Sequence, residues 1–285
     1  MPSSRAVLIL GMHRSGTSAL ARGIQALGVY LGTNFLSPQF DNPTGYWEDK
    51  SICSLNEQLL ALLGVRWEDA ALIDHRRWRE PQIVSLMADA VEYIASTFAA
   101  HPLWGFKDPR TIRLLPFWQS VLHHLEVEES YVVAVRNPLS VAVSLSQRQG
   151  MDAEAAHRLW LAYIVPNLSG IANRTFIVTD YDLVMADPRG QLERIARVLK
   201  IPLDGPIEAR IEEFAGKFLD PNLRHSLFDP GSFDPNPNLC PLTREAYLWL
   251  RWLATDRIGP ESPQFWSAWA GSERGFERQT NRASA

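Results

Sequence analysis

The chain has 285 residues, 46% hydrophobic and 21% charged, with a formal net charge of -4. That is the composition of a globular protein with enough chain to bury a sizeable core in one large domain. The acidic balance gives no electrostatic case for a nucleic acid or an anionic membrane as partner, and two cysteines make neither a disulfide framework nor a metal site.

Histidines lack the HExxH spacing of a zinc site, so no protein-bound metal is expected. The apolar run Ala6–Leu10 is too short for a secretory signal, and no other run approaches a membrane span. A cytoplasmic location without a membrane span is therefore expected.

In chain order, residues 6–10 read as a buried strand ending at Gly11, and Thr17–Leu27 reads as the helix that follows. Between them lies His13-Arg14-Ser15-Gly16-Thr17-Ser18. A strand, a glycine loop and a helix start hold phosphate. Loop and first-turn N–H groups converge on one spot, and the helix dipole favours negative charge there. The spacing is that of a Walker A loop, but Thr17 stands where its lysine belongs, and Arg14 is the cation inside the loop.

Residues 28–47 carry Gly28, Gly32, Pro38, Asn42, Pro43 and Gly45 and read as a long loop. Its last turn delivers Tyr46-Trp47-Glu48-Asp49 to a helix reaching Leu63, and residues 80–99 form another. Short apolar strands are predicted at 103–106, 131–135 and 175–178, and helices at 112–125, 153–171, 189–199 and 206–218. Residues 220–241, rich in Pro, Asp and Asn, read as a loop, residues 243–254 and 262–270 as closing helices, and the last dozen residues as frayed.

Strands alternate with helices, and each strand is a continuous apolar run. This predicts an α/β fold with three layers, a central parallel sheet between helices and extra helices at the C-terminus. One domain over 1–285 is expected, with its core at about 5–200, a closing segment at about 201–270 and a polar tail at 271–285. Ligands of such sheets sit beyond the carboxyl ends of the strands. Three of the four ends carry a cation: Arg14, Lys107 with Arg110, and Arg136.

These segments together resemble the sulfotransferases that use 3′-phosphoadenosine 5′-phosphosulfate (PAPS). The resemblance covers residues 5–200 or so and rests on four motifs in order: His13–Ser18, Lys107-Asp108-Pro109, Arg136-Asn137-Pro138 with Ser144 eight residues on, and Tyr181-Asp182-Leu183 through Asp187-Pro188. The segments around Gly45–Glu48 and Gly105–Arg110 are most similar to bacterial members acting on saccharides or other small acceptors.

The resemblance implies transfer of a sulfuryl group from PAPS to a hydroxyl or amine of a saccharide or small molecule, leaving adenosine 3′,5′-bisphosphate and using no metal. It assigns the 5′-phosphosulfate to His13, Arg14, Ser15, Gly16, Thr17 and Ser18, and the 3′-phosphate to Arg136 and Ser144. Lys107 and Arg14 would stabilise the transferring group, and Glu48 would be the general base, with Asp49 next in line. Tyr181 would approach the donor, and Arg224, with His225, would close over the site.

Each residue also has a plainer reading: Lys107 as an ion pair with Asp108, Arg136 paired to a carboxylate, Ser144 bonded to its own helix, Tyr181, Trp47 and Trp104 as core. A P-loop nucleotide kinase or hydrolase, or a non-catalytic nucleotide-binding protein, are the rival functions. The missing Walker lysine and metal ligands favour sulfuryl transfer, because a sulfuryl group carries less charge than a triphosphate and fixed Lys and Arg donors can serve it. The acceptor and the oligomeric state are not legible in the sequence.

Overall fold

A computed structural model of the chain describes residues 4–39, 42, 44–218 and 239–283. Four strands, β1 (Arg5–Gly11), β2 (Leu103–Lys107), β3 (Glu128–Val135) and β4 (Thr175–Asp180), form one parallel sheet in the order β2-β1-β3-β4. The helices are α1 (Thr17–Ala26), α2 (Lys50–Leu62), α3 (Pro81–Phe98), α4 (Leu115–His124), α5 (Pro138–Gln149), α6 (Ala153–Ile164), α7 (Tyr181–Ala186), α8 (Pro188–Val198), α9 (Gly205–Glu213), α10 (Pro241–Ala254) and α11 (Pro263–Ala283). No helix among the described residues is long and apolar enough to cross a membrane.

The strands carry no polar face because both faces are covered. Successive side chains of a strand point to opposite sides. Ala6, Leu8 and Leu10 therefore join Tyr131, Val133 and Val135 in one core, while Val7 and Ile9 join Val132, Ala134 and Ile177 in the other. Helices α2–α6, α10 and α11 cover the first face; α1, α8 and α9 cover the second. This is the expected three-layer α/β/α arrangement.

The loop after α1 does two structural jobs. Tyr30 donates its N–H to the Leu103 carbonyl at 3.1 Å and accepts from Gly105 N at 2.9 Å, which covers the outer edge of β2. Farther on, Leu36 N donates to the Glu48 carbonyl and Lys50 N to the Asn34 carbonyl, both at 2.8 Å, so the segment entering α2 is pinned by backbone pairing.

Several helix boundaries differ from the sequence reading: the helix expected over 112–125 begins as the 3-10 turn Pro109–Leu114, and the one expected over 206–218 passes into a π turn at Phe214–Phe218. The helix expected over 153–171 stops at Ile164, and a separate 3-10 turn spans Leu168–Ile171. Pro166, which has no N–H to give to the helical ladder, lies between them. The polar tail is not frayed where it is described: α11 continues to Ala283. Phe265, Trp269, Ser272 and Phe276 are buried at spacings that share one helix face, which the abundant polar residues between them concealed.

β1 leads outward to β2 on one side, and the chain then crosses over β1 to place β3 on the other. The connections leaving β1 and β3 thus diverge, which opens a crevice at their carboxyl ends. The phosphate-type loop follows β1, and Arg136 follows β3.

Candidate functional site

Gly11 ends β1 with φ 143°, and a Cβ there would lie 2.5 Å from the Ala134 carbonyl oxygen. Arg14 and Gly16 also have positive φ, 65° and 81°, so the loop folds back on itself before α1 begins. The first turn of α1 has no side-chain cap and no acidic residue. Ser15 is buried beside it, and its hydroxyl has no partner among the described residues. Buried hydroxyls are normally satisfied. An unsatisfied one at an uncapped helix start fits an anionic group such as a phosphate.

The second anchor comes from β3 and β4. Arg14 Nε donates to Ser144 Oγ at 2.8 Å, and Arg136 Nη1 donates to the Arg14 carbonyl at 3.2 Å. Tyr181, at the end of β4, lies beneath the Arg136 guanidinium, 4.5 Å from ring centre to Cζ. The same ring packs on Gly16 so closely that a Cβ there would come within 2.2 Å of Tyr181 Cδ2. Arg14, Gly16, Arg136, Ser144 and Tyr181 thus meet across the crevice between β1 and β3.

The third group comes from β2 and the start of α2. Lys107 is 2% exposed and its Nζ donates to Ser18 Oγ at 3.3 Å, to the Tyr46 carbonyl at 3.1 Å and to Glu48 Oε1. Ser18 Oγ also donates to the Tyr46 carbonyl and accepts from Asn42 Nδ2. Thr17, the other hydroxyl residue of the loop, is buried at the start of α1. Glu48 is buried as well. Its Oε2 accepts from the Cys53 thiol at 3.6 Å and lies 3.8 Å from Arg110 Nη2.

Arg110 is a site residue whose role the sequence left unassigned. Asp108 caps the 3-10 turn Pro109–Leu114 by accepting the Arg110 N–H, and the arginine side chain folds back to pair with the same carboxylate at 2.7 Å. Burial pushes the Asp108 carboxyl up, but the Arg110 charge and hydrogen bonds outweigh it and hold the group below its usual value. The available signal was the Asp-Pro-x run at a strand end, which marks a capped turn.

Glu48, Cys53 and Asp108 bring one possible ligand atom each within 4.8 Å of one another. Lys107 and Arg110 pair with the two carboxylates, which makes the group part of an ion-pair cluster. Burial pushes the Cys53 thiol up, which keeps it protonated.

Other residues sit differently from the sequence reading. Lys107 pairs with Glu48, not Asp108. Asp49 is engaged elsewhere: it caps α2 by accepting from Ser51 N and Ile52 N, and Tyr93 OH donates to it at 2.8 Å. His13 gives its backbone to the loop, while its ring packs at a tilt against Trp67 and meets the edge of Tyr163. Burial and then the Arg110 charge hold that imidazole well below its usual value, so it is neutral.

Trp47, with φ 57°, packs its ring against Phe35 and Phe218, while Glu48 faces the cations Lys107 and Arg110. Trp104 is fully buried against Phe98, and His101 stacks on Tyr30. Arg224 and His225 lie outside the described residues.

No family model matches the chain, and no curated protein matches it. Several solved structures are similar to it. One is the sulfotransferase domain of a Synechococcus olefin synthase, 18% identical, with a TM-score of 0.44 over 82% of this chain and 88% of that one. Another is the sulfotransferase STF9 of Mycobacterium avium, 17% identical, with a TM-score of 0.49 over 77% of this chain and 70% of that one. A third is a retinol dehydratase in complex with retinol and PAP, 12% identical, with a TM-score of 0.37 over 96% of this chain and 80% of that one. A fold hosts many chemistries, so function has to come from the side chains.

Proposed function

We propose that the chain is a PAPS-dependent sulfotransferase acting on a hydroxyl or amine of a saccharide or other small molecule. The observation that carries this reading is the reach of Lys107: one ammonium touches both Ser18 at the start of α1 and Glu48 at the start of α2. A hydroxyl at the helix start of the glycine loop, a cation and a carboxylate are thereby gathered within one cluster.

PAPS, when bound, supplies an activated sulfuryl group on a phosphate leaving group. The residues of this chain would do the following. The uncapped start of α1, Ser15 and Ser18 would hold the 5′ end. Arg14 and Lys107 would place fixed positive charge where negative charge builds up. Arg136 and Ser144, joined through Arg14, would hold the 3′-phosphate, and Tyr181 would keep the Arg136 plane in position. Glu48 would take the proton of the attacking hydroxyl or amine at a carboxylate oxygen. Asp49, occupied as a helix cap, is the weaker choice of base.

The test is transfer of a sulfur-labelled sulfuryl group from PAPS to a panel of saccharides and small alcohols and amines, alongside thermal shift with adenosine 3′,5′-bisphosphate and with Mg·ATP. Labelled product and stabilisation by the bisphosphate without metal are expected. Stabilisation by Mg·ATP alone, with no labelled product, would overturn the reading in favour of a kinase or hydrolase.

A further inference from the structure

We infer that Arg110 is the positioning residue of Glu48, the fixed countercharge that holds its carboxylate when Lys107 turns to an anionic ligand; this rests on the reading of Glu48 as the base. An ammonium has three hydrogens. Lys107 has three acceptors in Ser18 Oγ, the Tyr46 carbonyl and Glu48 Oε1. None of its donors is left over. Any phosphate or sulfate oxygen that Lys107 contacts at the loop must take a hydrogen from one of these three.

Glu48 is the acceptor whose loss matters most, because it is 6% exposed and charged. A buried carboxylate that loses its countercharge takes up a proton, and a protonated Glu48 is no longer a base. Arg110 is the cation that stays. Its guanidinium cannot give up its proton. It is anchored away from the loop by Asp108, through Nε and Nη2 at 2.8 and 2.7 Å, and by the exposed Glu57, through Nη1 at 2.7 Å. Its Nη2 lies 3.8 Å from Glu48 Oε2, and none of its anchors involves Lys107.

The other groups around Glu48 cannot take this part. Cys53 from α2 stays a neutral thiol, and Asp108 from the end of β2 carries the same charge as Glu48; His13 from the loop, which faces Arg110 and Asp108, is a neutral imidazole. With Lys107 drawn to the ligand, Arg110 alone faces both buried carboxylates. The two cations of the cluster therefore differ in role: Lys107 is shared between base and ligand, and Arg110 belongs to the base.

The experiment is carbon NMR of the glutamate carboxyl groups in the full chain saturated with adenosine 3′,5′-bisphosphate, with Glu48 assigned by E48Q, followed as a function of pH. In R110Q the midpoint of Glu48 protonation should rise by about 1 to 3 pH units, and in R110K it should return towards wild type. The acid limb of kcat/KM should move with it, while bisphosphate affinity stays put. If R110Q does not fold because it strands Asp108, the double variant D108N/R110Q is compared with D108N, relative to which its Glu48 midpoint should rise. An unchanged Glu48 midpoint in whichever variant folds overturns the role of Arg110, even if the enzyme is active. A wild-type chain that transfers nothing from PAPS overturns the functional reading, and this role with it.

Discussion

Arg14 and Ser144 stand 130 residues apart in the chain and are joined by a 2.8 Å hydrogen bond from guanidinium to hydroxyl. The bond ties the loop after β1 to the helix after β3, the two sides of the crevice where the strand order reverses.

Binding of adenosine 3′,5′-bisphosphate should therefore depend on this pair and on Arg136. Arg136→Ala should weaken binding by about 1.5–3 kcal/mol, the worth of a charged hydrogen bond, and Ser144→Ala by about 0.5–1.5 kcal/mol. Titration calorimetry reads both. Equal affinity in wild type and Arg136→Ala would remove Arg136 from the site.

Neighbouring carboxylates at the start of α2 should separate cleanly. Glu48→Gln should lower kcat about 10²–10⁴-fold with bisphosphate binding kept, as for loss of a general base. Asp49→Ala should instead cost about 0.5–2 kcal/mol of stability through the lost helix cap, seen as a lower midpoint in urea. Near-normal turnover in Glu48→Gln would transfer the role to another group.

Gly16 meets two demands at once, a φ of 81° and contact with the Tyr181 ring. Gly16→Ala should lose about 1–3 kcal/mol in a denaturant melt and weaken bisphosphate binding. Adding Tyr181→Ala removes the steric contact but not the backbone strain. The double variant should recover only part of the loss, and full recovery would show that the ring alone requires the glycine.

Two buried aspartates at strand ends should respond to acid with opposite signs. Arg110 outweighs burial at Asp108 and holds its pKa below the usual 3.8. Its contribution is present above that value and lost as pH falls through the folded-state value. At Asp180 burial dominates over Arg251 and the Tyr247 hydroxyl and raises the pKa above 3.8. Its contribution is present below 3.8 and lost as pH rises through the folded-state value. Thermal melts against pH should show wild type losing ground to Asp108→Asn in acid and gaining on Asp180→Asn. Parallel curves for the two variants would contradict the assigned environments.

Much of this was local enough to read from the sequence alone. Four apolar runs became the four strands because a run with no polar face needs cover on both sides, and that forces helices above and below. The glycine loop after Gly11, the turn at Asn137-Pro138 and the end of β4 at Tyr181 are set by short-range backbone rules, so His13–Ser18, Arg136 and Tyr181 were found at strand ends as expected. What the sequence could not carry was which charge meets which. Lys107 is adjacent to Asp108 yet pairs with Glu48, 59 residues away, and Asp108 goes to Arg110. Glu48 and Asp49 are neighbours of like charge, and only the pairing of Phe35 with Asp49 and the path of Trp47 into the second core send one to the cluster and the other to a helix cap. Ion pairs between distant segments depend on strand order and on the route of the loop, and these are decided when the sheet assembles.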